Sequence, residues 1–305
     1  MNKVTTIDLG SNSFRVLIYD CLNNEIINEY NEVTGMADGL NKTGLISKEA
    51  QDRVIKAILE SSTKLEYKAS EAICVTTAAM RLANNSEEVL KNFEKSTGAR
   101  FKIIDAKEEA RLTLLAVKYA LKREKIDSSK FILLDIGGGS VEIIVNNYNN
   151  NDNFESQSFN FGIVTLTQKC LEHSSLLEEL ESHKKDIKNF LDGLEIDISE
   201  YTFVATAGTP TTIAAIKLNQ DFFHYDKNQV NGTIVDLKDI ENSLDIFRNS
   251  DKRTITKLVG RGKVEFIEVG IYIYRAIFEV LEKKDSIVLD DGLREGVAIN
   301  HCLLR

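Results

Sequence analysis

Ile7-Asp8-Leu9-Gly10-Ser11-Asn12-Ser13-Phe14-Arg15 is the stretch that decides the fold, because it returns as Leu134-Asp135-Ile136-Gly137-Gly138-Gly139-Ser140-Val141-Glu142. Each copy follows a β-type run (Val4 to Ile7, then Phe131 to Leu134) and precedes another (Val16 to Tyr19, then Ile143 to Val145). Both therefore spell strand, Asp, Gly/Ser-rich turn, strand. Small residues let a backbone approach a ligand closely, so its N–H groups can point at an anion. The Asp at each strand end is placed to hold a cation, a water or a turn amide. Two such hairpins imply a duplicated domain with a phosphate chain clamped between the halves.

The rest of the chain is consistent with that reading. Its 305 residues exceed one ordinary core, so two domains are expected, at 1–125 and 126–290, with a last helix in 291–305 packing back on the first. A composition 43% apolar and 28% charged is that of a soluble globular protein. No signal-peptide pattern precedes the first strand, and the apolar stretch Val264 to Leu281 is interrupted by Glu265, Glu268, Arg275 and Glu279. Four scattered cysteines without a CxxC pair (Cys21, Cys74, Cys170, Cys302) predict free thiols in a reduced cytoplasm. A formal net charge of −9 argues against binding DNA non-specifically but allows a polyanionic small substrate in a local basic cleft.

Strand-like and helix-like runs alternate. The pattern predicts helices over Lys48 to Tyr67 (capped by Ser47), Ser86 to Ser96 (capped by Asn85 or Ser86), Lys107 to Lys122, Ile163 to Leu171, Leu176 to Leu191 and Leu293 to Leu303. Strands are expected at Ala72 to Thr76, Phe101 to Ile104, Thr202 to Thr206 and Ser286 to Leu289, which makes the class α/β with mixed or parallel sheets. Asn146 to Asn153 reads as a solvated turn. A third glycine turn, Ala207-Gly208-Thr209-Pro210-Thr211, opens a helix expected from Thr212, with the chain's single proline near its start.

Three glycine loops at strand ends point to a phosphate ligand. His173, His183, His224 and His301 have neither metal-ligand spacing nor a nucleophile partner, and read as surface or core residues. Ser11, Ser13 and Ser140 have no adjacent His, so they suit hydrogen bonding to phosphate rather than nucleophilic attack. Ile271-Tyr272-Ile273-Tyr274 reads as a core helix rather than a platform for stacking bases.

The ordered set Asp8 to Arg15, Glu108-Glu109-Ala110-Arg111-Leu112, Asp135 to Glu142, Gly208-Thr209 and Gly292-Leu293-Arg294-Glu295-Gly296 resembles the exopolyphosphatase/guanosine pentaphosphate phosphohydrolase (Ppx/GppA) family. The resemblance covers nearly the whole chain and matches the family's two-domain core without the extra helical C-terminal region of longer members. It implies two ribonuclease H-like, actin-like ATPase domains related by duplication and flanking a phosphate-binding cleft. It also implies Glu109 as the catalytic carboxylate, orienting or deprotonating a water for in-line attack on a terminal phosphoryl group. Read without the resemblance, Glu109 is an acidic residue complementing a helix dipole, a role that suits Glu108 better.

Asp8, Asp135 and Glu142 form a second carboxylate group whose hard oxygens suit Mg²⁺, with Asp135 and Glu142 also counted among the catalytic residues; turn capping is the other reading of the two aspartates. Gly10, Ser11, Asn12, Ser13, Gly137, Gly138, Gly139, Ser140, Gly208 and Thr209 are expected to bind phosphate through their loops. Arg15 and Arg81 would add bidentate guanidinium contacts. The duplication sets Arg15 against Glu142, one hairpin offering a cationic fork and the other an acceptor for metal or water. Either Arg261 or Lys263 stands where the family usually carries an Arg.

The expected activity is hydrolysis of a phosphoanhydride, releasing orthophosphate from the end of inorganic polyphosphate, or converting the guanosine pentaphosphate pppGpp to the tetraphosphate. Two other classes remain open from sequence: an ATP-dependent kinase or ATPase of the same superfamily, and a non-catalytic sensor of polyphosphate or alarmone. A homodimer is a family-level expectation.

Overall fold

The computed structural model describes residues 3–127, 129–147, 154–170 and 173–304. The polar tract expected as a turn at 146–153 falls, from Tyr148 onward, outside the described residues, as does the expected helix end at Leu171. The chain divides into two compact units, Met1–Ala116 with Asp291–Arg305, and Val117–Asp290.

The first unit is built on a five-stranded sheet of order β3-β2-β1-β4-β5, made of β1 (Lys3–Leu9), β2 (Ser13–Asp20), β3 (Glu25–Val33), β4 (Ile73–Thr76) and β5 (Phe101–Ile103). β1, β2 and β3 form an antiparallel meander, whereas β4 and β5 run parallel to β1. Alternation along β1 sends Ile7 and Leu9 into a core with Phe14, Val16, Val54, Ile58 and Phe93. Thr6 and Asp8 take the other face. That face is covered by the closing helix Leu293–Leu303, where the Thr6 hydroxyl donates to the Arg294 carbonyl at 3.1 Å.

The second unit repeats the plan. Its sheet runs β10-β11-β9-β6-β7-β8, from β6 (Phe131–Ile136), β7 (Val141–Asn146), β8 (Phe154–Phe159), β9 (Thr202–Thr206), β10 (Thr233–Asp236) and β11 (Asp285–Val288). β6, β7 and β8 form the antiparallel meander, β9 and β11 continue parallel, and β10 adds an antiparallel edge. Each unit is thus an actin-like α/β domain. Ile271, Ile273 and Tyr274 are buried in the core on the helix Ile267–Leu281, the environment the stripe predicts.

Local chemistry accounts for most helix starts. Ser47 Oγ accepts from the Ala50 amide at 3.1 Å and caps Lys48–Lys64. Asn85 sits at the cap position of Ser86–Thr97, but its amide instead reaches across to Ile46, accepting from the backbone N–H at 2.9 Å and donating to the carbonyl at 3.0 Å. Asp105 accepts from the Glu108 amide at 2.8 Å and opens Ala106–Arg123.

Two expectations are corrected. The helix expected from Thr212 begins at Gly208. Pro210 falls in its first turn, where a missing N–H removes no helical bond, and the Thr211 and Thr212 hydroxyls bond back to the carbonyls of Ala207 (2.9 Å) and Gly208 (2.7 Å). The four cysteines are not all free. Cys21, in the turn after β2, is disulfide-bonded to Cys302 at the end of the closing helix, with a sequence separation of 281, while Cys74 and Cys170 are free thiols. Spacing could not reveal this bond, because only tertiary packing brings its two ends together. Among the described residues, no helix is long and apolar enough to cross a membrane.

Candidate active site

In the first unit, Asp8 on β1 lies directly opposite Arg15 on β2, and Arg15 lies opposite Asn31 on β3. The turn between the first two strands is closed by the Gly10 amide donating to the Ser13 carbonyl at 2.9 Å. Its own carbonyls are tied down from behind. Ser11 O accepts from Ala37 N at 2.8 Å, and Asn12 O accepts from Thr34 N at 2.9 Å and Gly35 N at 3.0 Å. The Ser11 and Asn12 amide hydrogens donate to no group among the described residues. Carbonyls held back with amides left over is the construction of an anion nest.

Asp8 is crowded. Burial pushes its carboxyl up to about 6 against the pull of the Arg15 guanidinium, Glu109 and Glu295 push it the same way as burial, and Arg294 opposes them. Glu109, on the first turns of Ala106–Arg123, is only 8% exposed. Arg81 Nη1 donates to its Oε2 at 2.7 Å and to the Ile104 carbonyl at 3.0 Å. Glu108 turns away to a two-point pair with Arg111 at 2.7 and 2.9 Å, which holds its carboxyl below the usual range. The two adjacent glutamates are thus separated into a buried carboxylate beside Asp8 and a partly exposed partner of Arg111.

The second unit repeats the turn. Asp135 on β6 lies opposite Glu142 on β7, at the register of Asp8 and Arg15. Gly137 N donates to Ser140 O at 2.9 Å, and the carbonyls of Gly137 and Gly138 accept from Ile163 N at 3.1 Å and Val164 N at 2.9 Å, leaving the Gly138 and Gly139 amides without partners among the described residues. Gly162 is required here: a side chain at that position would come within 2.6 Å of Gly137 O and Gly138. Glu142 is 3% exposed and accepts from Ser158 Oγ at 2.7 Å. The third loop places Gly208 and Thr209 at the N-terminus of Gly208–Lys217, and Lys263 Nζ lies 3.6 Å from where a Gly208 side chain would begin. Lys263 therefore reaches this loop, whereas Arg261 is exposed.

A profile of the Ppx/GppA phosphatase family matches residues 19–304. The chain belongs to the Ppx/GppA phosphatase family. It is similar to a putative exopolyphosphatase of Haemophilus influenzae, 24% identical over 97% of this chain and 90% of that one. It is also similar to a guanosine-5'-triphosphate,3'-diphosphate pyrophosphatase of Aliivibrio fischeri, 26% identical over 95% of this chain but 57% of the relative's length. The crystal structure of the Aquifex aeolicus Ppx/GppA family member superposes with a TM-score of 0.75 at 27% identity, covering 99% of this chain and 98% of that one.

Within this Ppx/GppA chain, sequence reasoning left several groups unassigned. Asn31 and Ser158 stand beside residues it singled out, yet each lies on a strand whose local pattern carries no functional signal, and Glu295 lies in the Gly292–Gly296 motif without having been given a role. Asn31 and Ser158 could have been reached by extending the repeat one strand further, since β3 and β8 occupy the same place in the two meanders.

Proposed function

We propose that this chain hydrolyses terminal phosphoanhydrides, releasing orthophosphate from inorganic polyphosphate, from pppGpp, or from both. The observation that carries the reading is Glu109: a nearly buried carboxylate, held by Arg81, in the unit where the Ser11–Asn12 amides stand open. Glu109 is the group to orient a water and take its proton, because its carboxylate is nearly buried and fixed in place by the Arg81 guanidinium. Arg15 binds a non-bridging phosphate oxygen, and Arg81 adds its remaining N–H donors while fixing Glu109. Gly10, Ser11, Asn12 and Ser13 form one anion loop; in the second unit Gly137, Gly138, Gly139 and Ser140 form another, and Gly208 and Thr209 a third.

The donor chemistry fits Mg²⁺. Asn12 Oδ1 is buried with no hydrogen-bond donor, and Asp8 carries a carboxyl whose charge burial leaves poorly compensated. Asp8 with Asn12 would hold the ion in the first unit, and Asp135 with Glu142 offer carboxylate oxygens of the same kind in the second. Bound Mg²⁺ would neutralise charge on the phosphate oxygens.

The test is phosphate release from short polyphosphate, long polyphosphate and pppGpp measured side by side, with Mg²⁺ and with a chelator. Glu109→Gln should retain binding and lose at least about a hundredfold in turnover. Near-normal turnover by that variant, or release from none of the three substrates by the wild type, would sink the reading.

A further inference from the structure

The Arg294-Glu295 pair is almost wholly buried, with Arg294 4% exposed, and the roles assigned above do not use it. Among the contacts of its guanidinium, Nε donates to Glu295 Oε1 at 2.8 Å, Nη1 to Asn31 Oδ1 at 2.7 Å and Nη2 to Glu29 Oε2 at 2.6 Å. Asn31 is the cross-strand partner of Arg15, and Glu29 lies two residues along the same strand face. Directly opposite side chains in an antiparallel pair stand about 5 Å apart at Cβ, and diagonal neighbours remain within reach of a long side chain. Arg294 thus occupies two acceptors that Arg15 could otherwise take. The Arg15 guanidinium forms no hydrogen bond or ion pair among the described residues, although its charge acts on Asp8.

We infer that Arg294 is a positioning residue for phosphate binding: by holding Glu29 and Asn31 it keeps the Arg15 guanidinium unpaired and available to a phosphate oxygen. The inference rests on the phosphoanhydride reading and deepens it. The physical reason is competition. An exposed arginine beside a free carboxylate and a free amide oxygen will pair with them, and a substrate must then displace that pairing before it binds. A second guanidinium already fixed on those oxygens removes the competitor. Glu295 completes the arrangement by accepting from Arg294 and, through its other oxygen, from the Gly292 amide at 3.0 Å. This fixes Arg294 to the start of the closing helix.

The experiment measures KM and kcat of the full chain for whichever of short polyphosphate and pppGpp the wild type hydrolyses. Arg15→Ala should raise KM about tenfold, the scale of one charge-assisted hydrogen bond. Arg294→Met should raise KM by a similar factor while changing kcat by no more than about twofold. Adding Glu29→Ala and Asn31→Ala to Arg294→Met should bring KM back to within about threefold of wild type, since no competing side-chain acceptor is left at either position. A purely structural Arg294 would not be rescued by removing two more of its contacts. If Arg294→Met does not fold, Arg294→Lys with the same additions gives the same comparison.

A folded Arg294→Met or Arg294→Lys protein with wild-type KM overturns the inference, as does a raised KM that the added substitutions leave in place. An unaltered KM in Arg15→Ala also overturns the inference, whereas a wild type that releases no phosphate overturns the phosphoanhydride reading beneath it.

Discussion

Arg81 Nη1 lies 2.7 Å from Glu109 Oε2 and 3.0 Å from the Ile104 carbonyl, so one nitrogen ties the buried carboxylate to the strand end that precedes its helix. Removing the guanidinium takes the Arg81 hydrogen bond and its positive charge away from the nearly buried Glu109 carboxylate. Arg81→Met should therefore lower stability by on the order of 2–3 kcal/mol and lower kcat by at least about a hundredfold. Urea unfolding together with phosphate release checks both. A stable Arg81→Met protein of normal kcat would show that the pair is incidental.

Asp8 governs a pH dependence. Its folded-state carboxyl is raised from 3.8 to about 6, chiefly by burial, so the folded protein holds this proton more tightly than the unfolded chain. Stability from this group is therefore greatest below the unfolded value, declines as pH rises between about 4 and 6, and stays reduced above that window. In the presence of a chelator, Asp8→Asn should be more stable than wild type near neutral pH, by on the order of 2–3 kcal/mol at most, with the difference vanishing near pH 4. Denaturation midpoints at about pH 4.5 and about pH 7.5 test it, and equal slopes for the two proteins would refute it. The same variant should be impaired in phosphate release, because it loses a carboxylate oxygen at the site.

The Cys21–Cys302 bond ties the β2–β3 turn to the end of the closing helix, which carries Arg294 and Glu295. Reduction by a dithiol, or Cys302→Ser, should lower the unfolding free energy by about 2–4 kcal/mol, because the link spans a long stretch of chain and constrains the unfolded state. Thiol titration of the native protein should find two reactive groups fewer under oxidising conditions than after reduction. Four titratable thiols before reduction would contradict the bond.

Two glycines are placed where no side chain fits. A Cβ at Gly296 would strike the Leu112 carbonyl, at the approach of the closing helix to the Glu109 helix, and one at Gly162 would strike the Gly137–Gly138 turn. Gly296→Ala should cost about 2 kcal/mol or more, since both contacts are with backbone that cannot move aside cheaply. Gly162→Ala should distort the second anion loop and raise KM while shifting the melting temperature less than Gly296→Ala does. Thermal melts and substrate titrations separate the two effects, and a melt unchanged by Gly296→Ala would show that the helices can part without penalty.

Some of this molecule was legible residue by residue. Ser47 caps its helix because a hydroxyl three residues before an amide is local chemistry, and Thr202–Thr206 reads as a strand because β-branched and aromatic residues cluster there. β3 was harder to see: Glu25–Val33 alternates polar residues with few apolar ones, and its edge position leaves much of it exposed. The glycine turn read as preceding the helix is its first turn, where the Thr211 and Thr212 hydroxyls bond back to the carbonyls of Ala207 and Gly208.

The sequence by itself determined the repeated hairpin, since an Asp, a Gly/Ser turn and two flanking strands depend on neighbours a few residues away. It also determined, through the ordered motifs, the family to which the chain belongs. Only the tertiary structure decided which groups around those turns are free and which are engaged. The turn carbonyls are tied down by backbone from beyond the third strand, Glu109 is held by an arginine 28 residues away, and Arg294 reaches across 263 residues to Asn31. Hydrogen-bond acceptors are shared among all donors within reach, so occupancy is a property of packing and not of any local stretch of chain.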